Sequence, residues 1–272
     1  MTKLILEEGV FFLRSNKYTI NTVKNAMTIL KLFSVEKPEW SISEMARQLQ
    51  FDISQTKRLV KILEKEDFLS RDPTTKRYHL GLSILTFCGI IISTMELHRE
   101  AKPILEEVVK KLEEAVHLGI LEGTDIVYLI KLDGPHPVRL VSNTGKKFPA
   151  YCTGCGKVIL SYLNQKEQEN LLNIYEKQGL IRFGPNTVRS VADLKAQLKE
   201  IREQGFAICI DELHEGVFTI AAPVFDYTEK AVAAISVTGP THRLSPSKIP
   251  LYKQEITEAA RKISTRLGYP SA

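Results

Sequence analysis

The residues best suited to act on a partner lie between Ser43 and Phe68, in SEMARQLQFDISQTKRLVKILEKEDF. Ser54, Gln55, Lys57, Arg58 and Lys61 share one side of a 3.6-residue period. Such a face suits a nucleic acid. Gln pairs bidentately with adenine, Arg with guanine, and Ser or Lys holds a phosphate. A solvated helix surface has the same composition, so the flanking elements must decide between the two. A second chemical feature is Gly154-Cys155-Gly156, preceded by Cys152. Small residues at a helix start expose N–H groups, and the helix dipole adds positive potential, which suits a small carboxylate. The plainer reading is a tight turn that needs glycine. Asp211, Glu212, His214 and Glu215 form an acidic loop with one His. It reads as a solvated loop or pocket lid, because no nucleophile–base pair accompanies it.

The elements that position these groups are legible in order. Asn21 is expected to cap a helix over Thr22 to Phe33, ended by Lys37-Pro38-Glu39. Ser43 is expected to cap a second helix, with Met45, Ala46 and Leu49 inward. Asp52 to Gln55 has capping-box form and starts the third, whose core stripe is Ile53, Thr56, Leu59, Val60 and Leu63. Two β-prone runs follow around Asp72-Pro73-Thr74-Thr75, giving a hairpin with Arg71, Lys76 and Arg77 at its tip. A hairpin after a recognition helix is a wing, placed to meet phosphates or the minor groove.

Leu82 to His98, LSILTFCGIIISTMELH, is strongly apolar and helical in pattern. It should pack on another surface, a dimer partner or the next domain. Pro103 is expected to open a helix through His117. From Leu118 the period becomes that of strands, with a Gly-Thr-Asp turn and a further strand at Val138 to Ser142. Helices are expected at Gly156 to Leu163, after Asn164, and at Ser190 to Gln204, the last closed by Gly205. Strands are expected at Phe206–Ile210, Val217–Val224 and Ala231–Thr238. A terminal helix should start at Ser245-Pro246. Strands flanked by helices indicate an α+β domain.

Bulk properties agree with two domains in 272 residues, with 43% hydrophobic and 25% charged residues. The net charge is +5, and residues 17–80 hold 12 Lys/Arg against 8 Asp/Glu, so most of the excess surrounds the polar helix face. No apolar run is long enough to span a bilayer, Ile84 to Ile92 being too short. MTKLILEEGVFFLRSNKY is interrupted by Glu7 and Glu8 and lacks a cleavage site, so no signal peptide is expected. The four cysteines, Cys88, Cys152, Cys155 and Cys209, are expected to be reduced thiols in a cytoplasm. There is no P-loop, GxGxxG or GxSxG motif.

Three segments resemble the IclR family of bacterial transcriptional regulators: the winged-helix pattern ending in KRYHLG, FPAYCTGCGKVIL at Phe148 to Leu160, and GFAICIDELHEGVFTIAAPVFD from Gly205 to Asp226 followed by AAISVTGP. The resemblance spans roughly Thr19 to Leu267. Residues 1–18, outside it, read as a short N-terminal extension packed on the body or the product of an upstream start codon; the resemblance implies a winged helix-turn-helix (19–81), a linker and dimerisation helix (82–98) and a GAF-like/profilin-like α/β effector-binding domain (99–272). It also implies homodimers, in places homotetramers, on double-stranded operator DNA. By position, a metabolite effector would meet Gly154, Cys155, Cys209, Thr219, Ser236 and Thr238. The family often has Asp at the position of Cys209 and Cys at that of Thr219, so the pocket is expected to lack an anionic group and to bind a ligand unlike small hydroxy- or keto-acids and ureides. DNA contacts would come from Ser54, Gln55, Lys57, Arg58 and Lys61, and from Arg71, Lys76 and Arg77 of the wing. The expected protein is a ligand-responsive repressor or activator of a metabolic operon, not an enzyme, with no cofactor, metal or membrane partner. The rival reading is a thiol or zinc sensor, or a small-molecule enzyme, built on the C-terminal domain.

Overall fold

The computed structural model describes residues 20–136 and 144–270. The expected extension 1–18 and the expected strand Val138 to Ser142 lie outside the described residues. The chain divides into two compact units, one ending at Thr94 and one starting at Met95.

The first unit contains α1 (Asn21–Leu30), α2 (Ile42–Leu49), α3 (Ile53–Lys65), β1 (Leu69–Arg71), β2 (Tyr78–Leu80) and α4 (Ser83–Thr94). Its core is built from Ile29, Trp40, Met45, Leu59, Val60, Leu63, Leu69 and Tyr78. Two expected caps are corrected. Asn21 is the first helical residue of α1, which has no side-chain cap. Ser41, not Ser43, caps α2: its hydroxyl accepts from the Glu44 N–H (3.3 Å), while the Glu44 carboxylate accepts from the Ser41 N–H (2.8 Å). The reason is tertiary. Trp40 pairs with Tyr78 in the hairpin, which holds the chain extended up to the residue before the cap. Asp52 caps α3, accepting from Gln55 N at 2.9 Å. Ile53, expected in the core, is exposed instead, because the buried stripe runs through Thr56, Leu59, Val60 and Leu63. β1 and β2 form the expected hairpin, with Arg71 opposite Tyr78. The Asp72 carboxylate accepts from the Thr74 and Thr75 N–H groups in its turn. α4 buries none of its residues, and Leu85, Phe87, Ile90, Ile91 and Ile92 are exposed.

The second unit contains α5 (Glu96–Leu112), β3 (Ala115–Glu122), β4 (Asp125–Leu132), β5 (Lys147–Pro149), a 3-10 turn (Ala150–Cys152), α6 (Gly154–Tyr162), α7 (Gln165–Gln178), α8 (Val191–Gln204), β6 (Ala207–Ile210), β7 (Val217–Phe225), β8 (Ala231–Pro240) and α9 (Ile249–Arg266). The strands form one antiparallel sheet in the order β5-β4-β3-β8-β7-β6. α5 and α9 cover one face around Leu105, Phe218, Ile220, Ile235 and Ile256. α6, α7 and α8 cover the other, around Val158, Leu172, Leu194 and Ala221.

Four expectations change here. The segment 82–98 is not one helix, because the chain breaks at Met95 between α4 and α5. Pro103 lies inside α5 rather than at its start, where it removes one backbone donor. His117 belongs to β3, not to the preceding helix, which ends at Leu112 with Glu113 in the left-handed region. α9 begins at Ile249, with Pro250 in its first turn, so Ser245-Pro246 precedes it. Gly205 closes α8 as expected, with φ 79°.

One irregularity shapes the site. The β3–β4 register shifts between Leu118 and Gly119, pairing Leu118 with Ile130 but Gly119 with Tyr128. Leu129 is the extra residue. Ile130 therefore joins the α5/α9 core, while Tyr128, two residues away, joins the α6 side.

Candidate functional site

The polar face of α3 is presented as expected. Ser54, Lys57, Arg58 and Lys61 are exposed, and Gln55 is half-buried. In the wing, Arg71 and Lys76 are exposed. The Arg71 guanidinium lies 5.7 Å from the Tyr78 ring, and its Nε donates to Lys76 O at 3.4 Å. Arg77 is placed differently. Its guanidinium turns back onto α2, meeting the Glu44 carboxylate at 2.6 Å and Glu39 O at 3.3 Å. Glu44 is thus shared between its cap and this ion pair, and its carboxyl is held below the usual range, first by the Ser41 backbone bond. Arg77 fastens the wing to the helix-turn-helix. Arg77→Ala should therefore leave the salt dependence of DNA binding unchanged and lower the melting temperature slightly, since a partly exposed pair contributes about 1 kcal/mol. Lys76→Ala should reduce the salt slope by about one. Titration of both variants over salt checks the contrast.

In the second unit, a small cleft, about 500 Å³ when the space open to solvent at its mouth is counted, lies between the start of α6 and the sheet. Thr153 caps α6, accepting from Gly156 N at 3.1 Å. Gly154 sits against the sheet: a Cβ there would stand 2.7 Å from Thr219 Cγ2, so only glycine permits the approach. Cys209, Thr219 and Thr238 are adjacent across β6, β7 and β8 and form the floor. The two Thr hydroxyls are 3.3 Å apart. Four of the six expected effector residues, Gly154, Cys209, Thr219 and Thr238, therefore line one cleft.

Cys155 and Ser236 do not line it. Both are fully buried. The Cys155 thiol points into the sheet and donates to Ala234 O at 3.6 Å. Ser236 lies two residues deeper along β8 than Thr238, opposite His117.

Sequence reasoning missed His117, Tyr128, Phe148 and Cys152, which also line the cleft. His117, Tyr128, Phe148 and His214 form a chain of rings, with successive centroids 4.7, 5.8 and 6.2 Å apart. Burial, then the neighbouring Lys131, pushes the His117 imidazole down to about 3, so it is neutral. His214 is also shifted down, by burial and then Lys146. The alternation of β3 and β4 signalled His117 and Tyr128, but the bulge beside Gly119 hid which face Tyr128 takes; Phe148 in β5 and Cys152 in the 3-10 turn had no such signal.

The cleft also holds a carboxylate, contrary to the expectation drawn from Cys209. Glu212 lines it and is ion-paired with Lys157 of α6. Both side chains are buried, and Lys157 Nζ also donates to Gln197 Oε1 at 2.7 Å. The Asp211–Glu215 loop is thus anchored from below, with Thr187 Oγ1 donating to Glu212 O at 2.6 Å. Burial pushes the Cys152 and Cys155 thiols up to about 12 and raises Cys209 further. Neutral buried thiols are poor nucleophiles and poor metal ligands. Among the described residues, no group of three or more His, Cys, Asp or Glu side chains is placed to hold a metal ion.

A winged helix-turn-helix, followed by an α/β unit with a cleft at a helix N-terminus, defines a ligand-responsive, DNA-binding transcriptional regulator. Residues 22–73 match the IclR helix-turn-helix domain, and residues 90–265 match the bacterial transcriptional regulator IclR C-terminal domain. The chain belongs to the IclR family. It is 31% identical over 248 residues to the HTH-type transcriptional regulator KipR of Bacillus subtilis, covering 91% of this chain and 97% of KipR. The crystal structure of Thermotoga maritima IclR superposes with a TM-score of 0.76 at 30% identity, covering 92% of this chain and all of that one. An IclR homologue from Microbacterium hydrocarbonoxydans, crystallised with 4-hydroxybenzoate, shares the fold with a TM-score of 0.79 at 21% identity, over 90% of this chain and 98% of that one. Among the described residues, no helix is long and apolar enough to cross a membrane.

Proposed function

We propose that this regulator controls a metabolic operon in the cytoplasm, as a non-enzymatic homodimer or dimer of dimers, and that a small anionic metabolite in the α6 cleft tunes its grip on operator DNA. The observation that carries the ligand reading is the head of α6. Among the described residues, the Gly154 N–H has no backbone acceptor, and Gly154, which lines the cleft, heads a nine-residue helix whose dipole adds positive potential. The carboxylate that lines the cleft, Glu212, is already paired with Lys157. The ring wall and the neutral thiols make one side of the cleft apolar, and the Thr219 and Thr238 hydroxyls lie on its floor, so the ligand carries a flat or apolar portion beside its anionic group. The homologue crystallised with 4-hydroxybenzoate, an aromatic carboxylate, supports a ligand of this kind.

The exposed apolar residues of α4 support pairing with a second copy. In the dimer, the two α3 helices must meet major grooves about one helical turn, or a multiple of it, apart. An effector that binds better to one arrangement of the dimer shifts the population toward it.

The test is DNA release. A metabolite panel that includes benzoates and keto-acids is titrated into the protein–operator complex and, by calorimetry, into free protein. Gly154→Ala places a methyl group against Thr219 and should lower effector affinity at least about tenfold, with operator affinity in the absence of effector unchanged. Equal effector affinity in this variant would remove the α6 cleft as the site.

A further inference from the structure

Ile53 is the first residue of α3, and its place there is fixed. The Asp52 carboxylate accepts from Gln55 N at 2.9 Å, and the Thr56 hydroxyl donates to Asp52 O at 2.9 Å, which locks the first turn. The Ile53 side chain is nevertheless 53% exposed. It belongs neither to the buried core of its unit nor to the partly buried fringe, which includes Leu49 and Phe68. Core burial does not account for this residue type, since most of the side chain faces solvent. A β-branched side chain has no advantage in helix propensity, and an acidic residue would suit the helix dipole better in the first turn.

Its surroundings supply a reason. Ser54 and Lys57, one and four residues on, are exposed, as are Arg58 and Lys61. An apolar group with Lys57 one turn on, and Arg58 and Lys61 exposed on the same helix, suits a polyanion that carries an apolar spot of its own. It does not suit a second copy of the same face, which would bring like charges together. On the major-groove edges of the base pairs, the apolar group is the thymine C5-methyl. The N-terminal residues of a recognition helix are those nearest the base edges.

We infer that Ile53 is a specificity-determining residue that packs on the C5-methyl group of one thymine in each operator half-site. This rests on α3 being the helix that enters the major groove. Ile53 would add sequence preference without a hydrogen bond or phosphate contact, beside polar readers that were evident from the sequence.

The experiment uses the full chain. Operator sequences are selected from random duplex DNA with the wild-type protein. Each thymine of the selected half-site is then replaced by deoxyuridine, which removes only the methyl group. Wild type should bind about threefold to tenfold more weakly at one such position. Ile53→Ala should bind the thymine and uracil duplexes equally at that position, and Ile53→Val should retain part of the difference. The salt slope should be the same in all three, because no phosphate contact is lost. Thermal melts confirm that the variants fold, as expected for an exposed position. A methyl penalty that is the same in Ile53→Ala as in wild type, or no penalty at any thymine, overturns the inference while leaving the regulator reading intact. Failure to select any sequence with wild type would overturn the DNA-reading role of α3, and this inference with it.

Discussion

Arg58→Ala should abolish or relax sequence-specific operator binding while leaving weak, salt-sensitive binding to any duplex. Arg58 is exposed on α3, opposite the buried stripe of Thr56, Leu59, Val60 and Leu63. We propose that its guanidinium pairs bidentately with a guanine; such a contact contributes about 1–3 kcal/mol of discrimination, or roughly fivefold to 150-fold in affinity for the right sequence. Lys61→Ala is the informative comparison. If Lys61 holds a phosphate, its loss weakens binding to all sequences about equally and reduces the salt slope by about one. Fluorescence anisotropy with operator and scrambled duplexes, each over a range of salt, separates the two effects. Equal losses on both duplexes for Arg58→Ala would mean that Arg58 holds backbone rather than base.

The second large effect is expected in the other unit. Lys157→Met should destabilise the effector-binding unit by about 3–5 kcal/mol, because it leaves the Glu212 carboxylate buried without its counter-charge. For a unit of this size, that is a fall in Tm of roughly 6–20 °C. The side chains of Lys157 and Glu212 are only 2% and 9% exposed, so water cannot take over the partner's role. Gln197 contributes an amide oxygen to Lys157, not a donor to Glu212. The double variant Lys157→Met/Glu212→Leu should recover most of the loss, since removing both charges also removes the cost of burying them. Calorimetric melts of the single and double variants check this. A single variant as stable as wild type would mean that water reaches Glu212 when Lys157 is gone. Because Glu212 belongs to the loop that lines the cleft, the single variant should also weaken effector binding, and the double variant shows how much of that follows from loop placement.

Much of this was legible from residue order. The period-3.6 stripe of α3 leaves Ser54, Lys57, Arg58 and Lys61 on one face whatever the rest of the chain does, since local geometry sets that spacing. Asp52, Asn164 and Ser190 cap their helices through side chains that reach only three residues along the chain. Gly205 ends α8 because the left-handed region favours glycine. Gly154 could be singled out because a helix start flanked by small residues is a local pattern.

The errors fall where distant segments compete with local preference. Ser41 and Ser43 are equally good caps by type, and the Trp40–Tyr78 pairing, made across 38 residues, chooses Ser41. Pro103 reads as a helix start, yet burial of Ala101, Ile104, Leu105 and Val108 carries α5 through it. Arg77 reads as a wing cation, but Glu44, 33 residues away, engages it. Cys155 and Ser236 are residues of suitable type that the packing of α6 on β8 turns inward.

The sequence by itself determined a helix-turn-helix followed by an α/β unit, the polar face of α3 and the helix start at Gly154, because these follow from periodicity, capping and glycine geometry within a few residues. Only the tertiary structure decided what the cleft is made of. Leu129 had to bulge before Tyr128 could face α6, and Glu212 had to meet Lys157, 55 positions earlier in the chain, before the anion in the wall was neutralised. Burial and pairing between distant segments are properties of the packed chain, and no local pattern encodes them.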